Sequence, residues 1–204
     1  MKTKHLIILS LLLFTCHFGN AQETLRSKQV GITFSSFGMN DPFQFDELIG
    51  AAGYDSKSFY TLGINYIHPV SNWLDIEAGV EYAKHTVTVY PNLPPDMDRD
   101  PFDRDFSLID IPLTVRANFW NYFFANGGLL IGFDASSSSP IDSQSGVGAI
   151  LGIGGQYKFS NGIGLFINPY AKVHTLIPFS PEKYHQRLME TGIRVGVTYS
   201  FTAQ

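Results

Sequence analysis

LIDIPLTVRANF, residues 108–119, decides the fold because its apolar and polar side chains fall on different faces. Successive side chains of a β-strand point to opposite faces of a sheet, so a period of two predicts a strand. The apolar face comprises Ile109, Ile111, Leu113, Val115, Ala117 and Phe119. The opposite face comprises Asp110, Pro112, Thr114, Arg116 and Asn118. Such a strand fits either a soluble sheet or a membrane barrel, and the rest of the chain decides between them.

Seven further segments alternate in the same way, which predicts eight strands in all. The eight predicted strands cover residues 28–37, 58–68, 73–88, 107–119, 122–134, 146–159, 163–176 and 189–201. The connections between them are long and short in turn. Outer-membrane barrels have this organisation, with short turns at the periplasmic rim and long loops at the opposite rim. An even number of strands places both termini at the periplasmic rim.

The amount of apolar surface decides between a soluble barrel and a membrane barrel. A soluble barrel would enclose all of these apolar side chains, yet eight strands leave an interior barely wide enough for their own side chains. We therefore predict an all-β fold, an eight-stranded antiparallel up-and-down transmembrane β-barrel with its apolar faces towards lipid. The lumen is predicted to hold a charge network of Glu77, Glu81, Asp110, Arg116, Lys158, Lys172, Glu190 and Arg194.

Aromatic residues gather next to the predicted short turns and the C-terminus. Membrane barrels carry aromatic girdles at their interfaces, whereas a general preference of aromatic residues for strands would favour neither end. The pattern therefore predicts a girdle at the periplasmic level. Its members are Tyr66, Trp73, Phe119, Trp120, Tyr122, Phe123, Tyr157, Phe159, Tyr199 and Phe201.

Two features depart from the barrel pattern. After Tyr82, Lys84 takes the outward phase and Val87 and Val89 the inward phase, which predicts that the third strand leaves the membrane there or contains a bulge. Pro112 lies in mid-strand, although proline lacks a backbone donor and is normally confined to sheet edges. A closed barrel has no edge, so the sequence alone does not explain this proline.

The N-terminus has the features of a secretory signal peptide. Lys2 and Lys4 precede an apolar block at residues 6–14 that is too short to span a bilayer. Small residues at the end of this region predict cleavage after Ala21. We therefore expect residues 1–21 to be removed and residues 22–204 to form the barrel domain.

Cys16 suggests the alternative of a lipoprotein, because a lipid-modified cysteine also follows an apolar block. Thr15, however, is bulkier than the small residue expected before such a cysteine, so cleavage after Ala21 is the favoured interpretation. The remaining chain then has no cysteine. Disulfides, thiolate metal sites and cysteine nucleophiles are excluded on this interpretation.

The charge of the predicted mature chain bears on its partners. Loss of Lys2 and Lys4 leaves 12 of the 14 basic residues against 18 acidic residues, a net charge of −6, with no basic run. We therefore do not expect a nucleic-acid partner. The 183 residues from 22 to 204 fit one domain, and none of their segments has the 18 apolar residues of a membrane helix.

Three stretches carry a family resemblance: IDIPLTVRANF at residues 109–119, the glycine-alternating GVGAILGIGGQYKF at 146–159, and TGIRVGVTYSF at 191–201. They resemble the small outer-membrane β-barrel family of Gram-negative bacteria, often described as porin-like or PorT-like. The resemblance covers nearly all of the predicted mature chain and implies an outer-membrane location. It implies no catalytic residues, and some relatives are tied to protein secretion.

The acidic run DMDRDPFDRD resembles the start of a calcium loop at Asp96, Asp98 and Asp100. Pro101 stands where that loop needs glycine and Ser107 where it needs a bidentate glutamate, which excludes an EF-hand. A solvated acidic loop is the favoured interpretation. A looser site for divalent ions or for bridging lipopolysaccharide is the alternative.

No catalytic, cofactor or metal motif is found in the sequence. The histidines of the predicted mature chain are scattered at His68, His85, His174 and His185. His85 and His174 share the inward phase of the lumen charges. Ser107 or Ser180 could pair with a histidine near a rim, as in lipid-hydrolysing barrels, but nothing singles either serine out. We therefore expect packed or solvated histidines.

These observations predict a non-enzymatic barrel without a cofactor, with a filled lumen and with its function in the extracellular loops. The best candidate binding loop covers residues 90–105, whose apolar side chains are Tyr90, Leu93, Met97 and Phe102. The expected partners are outer-membrane lipids and lipopolysaccharide, the barrel assembly machinery, and a protein bound through the loops. The alternatives are a component of a secretion or envelope-assembly system and a lipid-modifying barrel enzyme.

Overall fold

The computed structural model describes residues 26–45, 52–94, 96–136, 139–180 and 184–201. These residues form eight strands. The strands are β1 (Gln29–Phe43), β2 (Gly53–Pro69), β3 (Leu74–Tyr90), β4 (Phe102–Phe119), β5 (Phe123–Asp134), β6 (Gly146–Lys158), β7 (Ile163–Pro178) and β8 (Arg187–Ser200). The predicted signal peptide, its cleavage site and Cys16 lie outside the described residues. No helix in the described part of the chain is long and apolar enough to cross a membrane.

The eight strands form a closed antiparallel barrel in which each strand pairs with its neighbours in the sequence. β1 closes the ring against β8, with Gln29 opposite Ser200 and Phe43 opposite Arg187. The predicted fold class and strand count are confirmed. We call the rim with the short turns, at residues 70–73, 120–122 and 159–162, the inner rim, and the rim with the long connections the outer rim.

The barrel exposes its apolar residues and buries its polar ones. Ile32 and Leu151 have exposed fractions of 67% and 68%, whereas Arg116 and Arg194 are each only 2% exposed. Lipid is the solvent in which such an exterior is stable, because each exposed apolar side chain would otherwise be in contact with water. The predicted outward orientation of the apolar faces, and with it the membrane location, is confirmed.

β3 continues beyond the point where its polarity pattern inverts. It keeps an uninterrupted alternation up to Tyr90, and the bulge in this region lies in β2, between Ser56 and Ser58. The outward side of the extension carries polar contacts, including Lys84 with Asp105 at 2.8 Å. Of the two predicted explanations, the structure favours a strand that leaves the lipid, because its outward face becomes polar.

Pro112 lies where the ladder between β3 and β4 is interrupted. Paired positions resume on either side of it, at Leu113 opposite Ala78 and Asp110 opposite Glu81. A residue without a backbone N–H therefore removes little from the ladder at this point. Pro169 in β7 lies in a similar interruption of the ladder with β6, so both mid-strand prolines have the same explanation.

The predicted girdle aromatics that flank the short turns lie at the inner rim and contact one another. Tyr122 stacks on Tyr157 with ring centroids 6.4 Å apart, and Phe119 stacks on Phe123 at 6.1 Å. Trp120 in the turn between β4 and β5 is 81% exposed. Exposed aromatic rings at the level of a rim are typical of an interfacial girdle. Exposed aromatic residues such as Tyr90 and Phe179 also lie towards the outer rim, so the aromatic residues are not confined to one end.

Candidate functional site

The inner half of the lumen contains a layer of charged side chains around Glu77 on β3. Its carboxylate oxygens lie 3.5 Å from Arg116 on β4 and 3.4 Å from Arg194 on β8. All three side chains are at most 3% exposed. Alternation places these residues on the inward face of their strands, and ring closure brings the strands together across the lumen.

Aromatic rings pack against this layer from the inner side. The guanidinium carbon of Arg116 lies 3.5 Å from the ring centroid of Phe124, and that of Arg194 lies 5.7 Å from Phe166. Such contacts stabilise a cation that has lost its hydration. The rings also occupy the space between the arginines and the inner rim, so the arginines lie within a packed interior.

The next layer towards the outer rim is centred on Lys172 of β7. Its Nζ atom lies 2.6 Å from Glu81, 3.6 Å from Asp110 and 3.5 Å from Glu190. These four side chains come from β3, β4, β7 and β8 and are at most 3% exposed. One lysine thus joins three carboxylates that are distant in the sequence.

Lys158 differs from the other predicted members of the lumen network. It ends β6 next to a short turn, is exposed, and forms no salt bridge with any described residue. Its place at the inner rim gives its ammonium group access to water, which explains why it needs no buried partner. Lys158 therefore lies apart from the other seven predicted residues, which the structure brings together.

An apolar cluster closes the lumen above the charged layers. Its members are Ala83, Val87, Phe106, Leu108, Ile141 and Leu188, with Tyr54 packed against them. Ile141 belongs to the connection between β5 and β6, so this connection folds inwards over the strands. We call this group the outer plug.

A cleft of about 720 Å³ opens at the outer rim beside this plug. Its lining residues are Val89, Phe102, Asp103, Arg104, Asp105, Ser139 and Pro140. It lies between the outer ends of β3 and β4 and the connection from β5 to β6. Arg104 lies 5.0 Å above the ring of Phe102. The cleft therefore combines an apolar surface with exposed charge.

The predicted loop residues lie around this rim, but only one of them lines the cleft. Tyr90 ends β3 and Phe102 begins β4, while Leu93 and Met97 lie in the connection between the two strands. All four are exposed, by 40% to 55%. Only Phe102 lines the cleft, together with the strand ends and Ser139 of another loop. Sequence reasoning missed the contribution of that second loop because nothing local indicates that it folds inwards.

The structure does not bring the sequence-predicted serines together with the lumen histidines. The Ser107 hydroxyl is 2.9 Å from the Tyr82 hydroxyl on the outer face, and Ser180 is exposed near the outer rim. His85 and His174 are completely buried on the inward face. The sequence indicated that both histidines face inwards, but it did not indicate that they meet across the lumen.

The fold is similar to solved outer-membrane barrels. The crystal structure of outer membrane protein OprG from Pseudomonas aeruginosa is 13% identical, with a TM-score of 0.53 over 90% of this chain and 100% of that chain. The solid-state NMR structure of outer membrane protein AlkL in lipid bilayers is 12% identical, with a TM-score of 0.56 over 91% of this chain and 95% of that chain. No protein-family model and no curated protein matches the chain. The PorT-like resemblance stays a prediction, and the protein has the fold of an eight-stranded outer-membrane β-barrel.

Proposed function

We propose that this protein is a non-enzymatic outer-membrane barrel with a closed lumen that binds a partner at its outer rim. The observation that carries the proposal is the filling of the lumen by two ion-paired layers and the outer plug. The residues at the centre, such as Lys172 and Arg194, are at most 2% exposed. A barrel packed in this way has no room for a diffusing solute, so its binding surface lies on a rim.

The outer rim is the better candidate of the two rims. The inner rim consists of three short turns and aromatic side chains, which occupy the level of the lipid interface. The outer rim carries the 720 Å³ cleft and four long connections. Met97 and Leu93, which are 55% and 40% exposed, lie in the connection between β3 and β4 at this rim and support a contact surface there.

The charge of this rim favours a partner with a basic surface. Asp96, Asp98 and Asp100 are exposed and form no salt bridge within the described residues. Asp103 and Asp105 are paired with Lys57 and Lys84. Unpaired carboxylates attract a partner of opposite charge and make its binding sensitive to salt.

Site-specific photocrosslinking in intact cells tests the proposal. A photoreactive side chain at Ser139 in the cleft should form a discrete adduct, because a bound partner would cover this residue. The adduct should weaken at high salt. It should disappear when residues 91–101 are replaced by a Gly/Ser linker in a barrel that still folds.

A matched probe at Asn161 in a short turn of the inner rim provides the control. An absent adduct at Ser139, or the same adduct at both positions, would contradict binding at the outer rim. A discrete adduct at Asn161 alone would favour the alternative of an envelope-assembly component, whose partners are reached from the periplasmic side.

A further inference from the structure

We propose that the lumen contains a binding site for a transition-metal dication of the zinc class, with His85, His174 and Glu190 as its ligands. One potential ligand atom from each of these three side chains lies within 4.8 Å of the other two. The residues belong to β3, β7 and β8. A bound ion would therefore connect three strands across the barrel, independently of any partner at the outer rim.

The three ligand atoms already face one another. Oε2 of Glu190 lies 3.4 Å from Nε2 of His85 and 3.9 Å from Nε2 of His174. Two ligands that each lie about 2.0–2.1 Å from a tetrahedral zinc ion are about 3.3 Å apart. Small side-chain movements would therefore close the set around an ion. Two imidazoles and one carboxylate, with a fourth position left open, are a ligand set that zinc accepts.

Buried polar atoms without hydrogen bonds support the proposal. Both ring nitrogens of His85, both of His174, and Oε2 of Glu190 are buried and make no hydrogen bond to a described residue. Leaving such atoms without a partner costs free energy, and a native interior rarely contains several of them at one point. A metal ion would satisfy the three ligand atoms at once.

Neighbouring groups orient the ligands as in metal sites. Tyr170 donates a 2.5 Å hydrogen bond to Oε1 of Glu190, and Lys172 lies 3.5 Å from the same oxygen, which leaves Oε2 facing the histidines. Nδ1 of His174 lies 3.6 Å from Oδ1 of Asp110. A carboxylate behind the second nitrogen of a ligating histidine is the usual outer partner of such a ligand.

Aromatic rings hold His85 in place. Its ring stacks on Phe106 at 5.1 Å and on Phe59 at 5.9 Å, with interplanar angles of 21° and 22°. The imidazole is therefore confined between two planes, and its edge faces Glu190. A fixed ligand binds a metal more tightly than a mobile one because less conformational freedom is lost on binding.

An irregularity in β7 directs His174 inwards. Ala149 pairs with Val173 and Val147 with Ile177, so extra residues of β7 lie opposite Gly148. Within them Thr175 has a φ of 52°, which is unusual for a β-branched residue, and both His174 and Thr175 are buried. Strand irregularities often redirect a side chain next to a site.

The charge balance also favours a cation. Three buried cations, Arg116, Lys172 and Arg194, face four buried carboxylates, which are Glu77, Glu81, Asp110 and Glu190. Neutral imidazole is the form that binds metal, and with neutral histidines one buried carboxylate charge has no counterion. A cation at this point would compensate it.

The position of the site implies that the ion is loaded while the barrel folds. Phe106, which stacks on His85, belongs to the outer plug, and the lysine and arginine layers fill the lumen on the inner side. The ligand residues are completely buried. We therefore expect slow removal of the ion by chelators from the folded barrel and fast removal after unfolding.

The test is refolding of the full chain into detergent with and without Zn²⁺, followed by removal of loose metal and measurement of the zinc that remains. The expected result is one zinc per folded barrel and a higher unfolding temperature than that of barrel refolded with a chelator. His85→Ala, His174→Ala and Glu190→Gln should each abolish the retained zinc. Asp110→Asn should weaken binding by about 10- to 100-fold.

His68→Ala is the matched control, because His68 is an exposed histidine on the outward face of β2 and should retain the zinc. Wild-type barrel that binds no zinc above the detergent background, or His174→Ala that retains it, would overturn the proposal. If the variants do not fold, the absorption spectrum of wild-type barrel loaded with Co²⁺ decides. A tetrahedral spectrum with nitrogen ligands supports the site, whereas six-coordinate oxygen ligation would place the metal at the exposed aspartates and overturn it.

Discussion

Replacement of Lys172 by methionine tests the charged layers of the lumen most severely. Methionine keeps the unbranched apolar chain but removes the ammonium group that, among the described residues, alone lies within 4 Å of Glu81, Asp110 and Glu190 together. Removal of one partner from a buried ion pair leaves an uncompensated charge and costs about 3–5 kcal/mol. We therefore expect Lys172→Met to reduce the free energy of unfolding by about 3–5 kcal/mol.

The assay is reversible urea unfolding in lipid vesicles, followed by the gel shift that distinguishes the folded from the heated barrel. Lys84→Met is the matched control, because Lys84 contacts Asp105 in an exposed pair whose partners are 39% and 51% exposed. Exposed pairs contribute little to stability, so the control should unfold close to wild type. A loss from Lys172→Met no larger than that of the control would refute the buried network.

Three further changes test the exterior, the backbone packing and the loop. Arginine at the lipid-facing Val195 should cost about 2–4 kcal/mol in the same unfolding assay, because arginine is unfavourable near the bilayer midplane; an unchanged midpoint would contradict lipid contact there. Gly148→Ala places a Cβ 2.2 Å from the carbonyl oxygen of Val173 and should cost about 1–3 kcal/mol. Gly155→Ala is the control, because a Cβ there would lie 3.8 Å from its nearest neighbour, and this variant should be as stable as wild type. Equal losses of stability in the two variants would argue against close backbone packing at Gly148. A Gly/Ser linker in place of residues 91–101 should preserve the folded gel shift, since loop length costs only a fraction of a kcal/mol per doubling; loss of that shift would give the loop a structural role.

The barrel could be predicted from the sequence because its main features depend on local alternation. A period of two sorts Ile109 from Asp110 and Val195 from Arg194, and this sorting fixes which face meets lipid. The order of long and short connections then fixes the rims. These features need no knowledge of distant contacts, and the structure agrees with them.

The extension of the strands beyond the lipid was harder to predict from the sequence. Above Tyr82 the outward face becomes polar and the inward face apolar, because water replaces lipid outside and the outer plug replaces the charge network inside. The period of two therefore continues, but apolar side chains now face inwards and polar side chains face outwards. In the sequence, the inward-facing Val87 interrupts the pattern of polar residues on the inward face, although the strand itself continues to Tyr90.

The convergence of side chains across the lumen could not be predicted from alternation. Inward phase identifies His85, His174 and Glu190 as lumen residues, but their distances depend on the stagger of strands that are far apart in the sequence. Lys158 has the same inward phase and yet lies at the exposed end of its strand. These residues differ in their position along the barrel axis. That position is fixed only when the strands close into a ring.

Single-channel recording in planar lipid bilayers tests the closed lumen, the central claim, most directly. In the described part of the chain the charged layers and the outer plug fill the lumen, so the folded barrel should produce no steady conductance above that of the protein-free bilayer. A steady and reproducible conductance from folded wild-type protein would contradict a closed lumen.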